Sequence, residues 1–145
     1  MELLVVIAIM SILTVITASQ FGAAQRRSRD MARKADLSSL SKALLTYYAD
    51  YGFFPAEDEI SWGGEFKDDT DYIYMKVVPQ ENYERPGLPA YCYVAEGVPP
   101  TKFALFSGLE NEEDSDGKFD AESYDVCGGS YNFAIVSPNA EVSDF

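Results

Sequence analysis

A chain of 145 residues with a net charge of −13 and no histidine has room for one domain and an extension. It lacks the imidazole that Ser-His-acid triads, Cys-His dyads and most zinc sites require. Residues 1–49 carry three acids against six bases (+3), and residues 50–145 carry 21 acids against five bases (−16). The sign change marks two parts with different surroundings, and the acidic part is unsuited to nucleic acid, whose phosphates call for clustered Lys and Arg.

The sequence opens MELLVVIAIMSILTVITASQFGAAQRRSR, and from Leu3 to Gln25 no side chain is charged. As a helix this run is about 35 Å long, against about 30 Å of bilayer hydrocarbon. Residues 1–25 are therefore expected to form a single transmembrane or filament-core segment. Ala18 and Gly22, four apart, with Ala8 and Ser11 upstream, place small side chains where helices approach closely. Thr14 and Thr17 can return their hydroxyls to the helix backbone.

Proline is absent from residues 2–51, and Gly22 is the only glycine before Gly52. The helix is thus predicted to continue as an amphipathic segment over residues 26–52. There Leu37, Leu40, Leu44, Tyr47, Tyr48 and Tyr51 recur at steps of three and four and make one stripe. Gly52 supplies a left-handed closing residue and Pro55 bars a restart. The whole rod would measure about 75 Å. The basic cluster RRSRDMARK, directly after the apolar run, would meet lipid phosphates or the acids of neighbouring copies.

Residues 53–145 read as an acidic, β-rich globular head. DDTDYIYMKVV, AYCYVA, TKFALFSGL and SYNFAIVS are short aromatic and β-branched runs separated by Pro, Gly and acid clusters, and EGVPP reads as a hairpin loop. In the last run Tyr131, Phe133 and Ile135 alternate with Asn132, Ala134 and Val136. Three or four antiparallel strands on the amphipathic half-helix would bury both apolar faces, giving an α+β fold with a small C-terminal antiparallel sheet. The ten tyrosines and Trp62, with Phe53, Phe54 and Phe66, are assigned to packing. Cys92 and Cys127 fit one disulfide in an oxidising space; the alternative is two buried, unpaired thiols.

One loop, ENEEDSDGKFDAES, has calcium-loop spacing. With Gly117 at the sixth position, Glu112, Asp114, Asp116 and Asp120 occupy the first, third, fifth and ninth, whereas Ser123 stands where a bidentate Glu belongs. Calcium is the one candidate cofactor, and the bland alternative is a solvated acidic loop. Nothing places the paired acids Asp68 and Asp69 across a glycosidase-like cleft. No phosphate-binding glycine loop and no nucleophile with a base is present, so no enzyme activity is expected.

ELLVVIAIMSIL at the start, the unbroken helix, the YYADYGFFP exit and the C-terminal strand runs resemble a bacterial type IV pilin or pseudopilin. LFSGLENEEDSDGK followed by VCGGSYNFAIVSPN is similar to the C-terminal part of the G-like pseudopilins of type II secretion, some of which bind calcium. The resemblance implies a basic leader ending at glycine, cut by a prepilin peptidase, and a methylated phenylalanine shortly before the glutamate. Those residues would stand upstream of Met1.

An acid at the edge of an apolar helix is costly unless paired or protonated. The resemblance gives Glu2 a partner, the N-terminal amine of a neighbouring copy, and with it an assembly role. It further implies a helical homopolymer, an inner-membrane assembly platform, and a location first as a single-pass membrane protein, then as a cell-surface or extracellular filament. The expected function is thus a structural pilus-like subunit, with a secretion pseudopilin or a membrane-anchored calcium- or ligand-binding module as alternatives.

Overall fold

The computed structural model describes residues 2–81, 90–117 and 124–145, with the side chains of Glu2, residues 15–20 and residues 124–125 outside that description. Helix α1 runs without a break over Glu2–Tyr51. It stops as expected: Gly52 takes a left-handed φ of 78°, and its N–H donates to the Tyr48 carbonyl at 2.7 Å.

Seven short strands follow: β1 (Phe66–Lys67), β2 (Ile73–Met75), β3 (Cys92–Gly97), β4 (Pro100–Ser107), β5 (Tyr124–Val126), β6 (Gly129–Tyr131) and β7 (Phe133–Val136). The main sheet has the order β3-β4-β7 and is antiparallel throughout, while β1-β2 and β5-β6 are separate two-stranded ribbons. The expected hairpin lies between β3 and β4, where Cys92 pairs with Phe106 and Glu96 with Lys102. A long N-terminal helix on a small antiparallel sheet is the α+β arrangement read from the sequence.

Central strand β4 is buried on both sides, and its period of two sorts the core into two layers. Phe103 and Leu105 face α1 and pack with Leu37, Leu40, Leu44, Tyr47, Phe54, Phe66 and Phe133. Ala104 and Phe106 face away and pack with Cys92 and Tyr131, covered by Val126, Val142 and Phe145. Burying each of the three leucines contributes about 1.5–3 kcal/mol. The aromatic residues expected in the core are there: Phe54 and Phe66 are buried, and Phe53 and Trp62 pack against them.

One strand departs from the expected alternation. Tyr131 does not share a face with Phe133 and Ile135; it belongs to the far layer. The ladder breaks at Asn132, between β6 and β7. The Asn132 side chain there accepts from the Leu109 N–H at 2.7 Å and donates to the Leu109 carbonyl at 3.0 Å. A residue whose amide serves a neighbouring loop leaves the strand register, so the period restarts after it. The two cysteines are joined as expected, with Cα atoms 6.3 Å apart, tying the start of β3 to the turn between β5 and β6.

The membrane expectation is overturned. Among the described residues no helix is long and apolar enough to cross a membrane. This contradicts the single-pass membrane location, and with it the expected route to a cell-surface or extracellular filament.

Candidate assembly surface and its charged collar

The N-terminal part of α1 stands clear of the head. Leu3, Leu4, Val5, Val6, Ile7, Ile9, Met10, Ile12 and Leu13 are each more than half exposed. At about 100° per residue these nine side chains cover every side of the helix. The polar groups among them ask for nothing: Ser11 donates to the Ile7 carbonyl at 2.7 Å and Thr14 to the Met10 carbonyl at 2.8 Å. The side chains of Glu2, Ala18 and Thr17 lie outside the description. Gly22 is exposed, and a Cβ built on it meets nothing within 4 Å among the described residues.

Where α1 enters the head it carries a collar of buried charge. Asp30 and Arg33 are each 1% exposed. The Arg33 guanidinium donates to Asp30 and to Glu81, both at 2.8 Å, and lies 2.9 Å from Glu110. Arg29 grips the other side of Glu110, its Nε donating to Oε1 at 2.8 Å. The Asp30 carboxylate also accepts the N–H groups of Glu110 and Asn111, at 2.9 and 2.7 Å, fixing the loop after β4 to the helix.

The electrostatics follow from this geometry. Hydrogen bonds from Arg29, opposed by burial and joined by those from Arg33, lower the Glu110 carboxyl to about 2. Burial works against the Arg33 charge, but its bonds to Glu81, Glu110 and Asp30 win and raise its pKa further.

Within the chain, the basic cluster reaches the acids of its own head. Arg27 pairs with Glu113 at 3.0 Å, and Lys34 donates to Asp114 at 2.6 Å and Asp116 at 2.8 Å. The hydrogen bond from Lys34 holds the Asp114 carboxyl below its usual range. Two of the four calcium candidates therefore already hold a cation, which calcium would have to displace. Glu112 is exposed, and Asp120 lies outside the described residues. Among the described residues no three His, Cys, Asp or Glu side chains gather as a metal site.

Sequence reasoning missed Asp30 and Arg33 because it followed apolar residues only. Yet the stripe 30, 33, 37, 40, 44, 47 keeps alternating steps of three and four, so the buried face simply continues upstream in polar residues. An acid and a base three apart on that face was the available signal. Glu81 and Glu110 gave none, since only the tertiary fold brings them to the helix.

No protein-family model, curated protein or solved structure matches this chain.

Proposed function

We propose that this chain is a structural, pilin-like subunit that polymerises through the N-terminal part of α1. The observation that carries this reading is the ring of nine apolar side chains between Leu3 and Leu13, which the head leaves uncovered. A contiguous apolar surface of this size demands a partner, and a helix apolar all round is covered most simply by several like helices around it. The rest of the molecule suits a subunit that must transmit load: residues 3–13 of the helix stand exposed, and its C-terminal half is anchored by leucines and by the charged collar.

Glu2 fits this reading as a register device. A carboxylate and a neighbour's amine would each be expensive in an apolar helix bundle, and paired they offset each other.

Electron microscopy and sedimentation of the purified full chain test the proposal. Ordered fibres or large oligomers are expected, and the exposed-site variant Ile9→Asp should keep the folded head while losing assembly. A native chain that stays monomeric at high concentration, or an Ile9→Asp variant that assembles normally, overturns it.

A further inference from the structure

Beside the C-terminal end of α1, Tyr47, Tyr51, Phe53, Glu59, Asp68 and Asp69 line a cavity of about 370 Å³. Its wall is aromatic: the Tyr47 ring centroid lies 4.6 Å from that of Tyr51 and 6.0 Å from that of Phe53. Its rim is anionic. Lys67 also borders it, but its ammonium is taken by Asp71.

The three carboxylates are not equally free. Asp68 is the most engaged: its Oδ1 accepts from the Thr70 hydroxyl and N–H and the Tyr72 N–H, and its Oδ2 accepts from the Tyr51 hydroxyl at 2.8 Å. Glu59 spends only Oε2, on the Ala56 N–H, and Asp69 makes no hydrogen bond among the described residues. Tyr47 is 8% exposed, and its hydroxyl, which has no hydrogen-bond partner among the described residues, is not shut off from solvent and so is open to a ligand in the cavity it lines. Burial, then the negative charges of Glu59, Asp69 and Asp68, push that phenol's pKa up.

Among the described residues no three carboxylates gather closely enough to hold a metal ion. A flat organic cation needs a π-face and two or three acceptors. We propose that this cavity binds a guanidinium group, stacked on the tyrosine wall, with its N–H groups donating to Asp69, the free oxygen of Glu59 and the Tyr47 hydroxyl. The site is independent of helix-driven assembly.

The test is a calorimetric titration of the full chain with n-butylguanidinium. Saturable binding is expected, weakened about tenfold or more in the Glu59→Gln/Asp69→Asn double variant and several-fold in Tyr47→Phe, with near-UV circular dichroism checking that each variant stays folded. A peptide carrying a single arginine, titrated in parallel, separates the sources: tighter binding of the peptide supports an arginine side chain from a protein, and equal binding supports a free cation. The proposal is overturned if n-butylguanidinium gives no saturable binding, or if the folded double variant binds it as tightly as the native chain.

Discussion

Arg33 is nearly inaccessible and touches three carboxylates, Asp30, Glu81 and Glu110, with Arg29 as the second cation of the group. Desolvating these charges costs several kcal/mol, and only their mutual contacts offset it. Arg33→Met should therefore destabilise the chain by about 3–5 kcal/mol, read from urea unfolding, because it strands buried anions. Lysine should not rescue it, since a single ammonium cannot span the fork. The pH dependence follows from Glu110, whose folded pKa of about 2 lies below its ordinary value near 4.5. Its contribution, on the order of 3 kcal/mol, is fully present above pH 4.5 and is lost as pH falls toward 2. Unfolding curves between pH 6 and 2 check this: Glu110→Gln should start less stable at neutral pH and show a flatter acid limb.

At the scale of the element, α1 does two jobs with one geometry. Its heptad-like face over residues 30–47 is buried, while residues 3–13 are exposed on all sides. Gly22 lies between them, and no neighbour among the described residues needs it small. Gly22→Ala should accordingly raise helix stability by about 1 kcal/mol in the unassembled chain, read by circular dichroism on heating. If helices pack closely at this position in the polymer, the same variant weakens assembly. Opposite signs in the two measurements would assign Gly22 to an intermolecular contact, and parallel gains would remove it from one.

For the whole molecule, the two-layer head depends on its far side as much as on the helix. The far layer is small, built on Ala104, Phe106 and Tyr131 under a short C-terminal segment, and the Cys92–Cys127 bond staples it to β3. Closing a loop of sequence separation 35 is worth about 4 kcal/mol in the chain-entropy model. Reduction, or a Cys92→Ala/Cys127→Ala double variant, should lower the unfolding free energy by an amount of that order. Exposure of the far-layer tyrosine, followed by fluorescence, should accompany it.

The sequence by itself determined the elements whose cause is local. An unbroken run without proline, closed by Gly52, makes the 50-residue helix. The leucine spacing gives its buried face, and the β-branched and aromatic runs give the β3-β4 hairpin and β7. The cysteine pairing was also legible, because only two cysteines exist. Three things were decided by tertiary structure alone. Asn132 leaves the strand because Leu109 of another segment needs its amide, and this sends Tyr131 to the opposite layer. Glu81 and Glu110 come from distant parts of the chain to meet Arg33, and no local pattern encodes that meeting. Lys34 reaches across to Asp114 and Asp116, two of the four carboxylates spaced like calcium ligands. In each case the deciding partner is remote in sequence, and buried polar groups go wherever the fold can satisfy them.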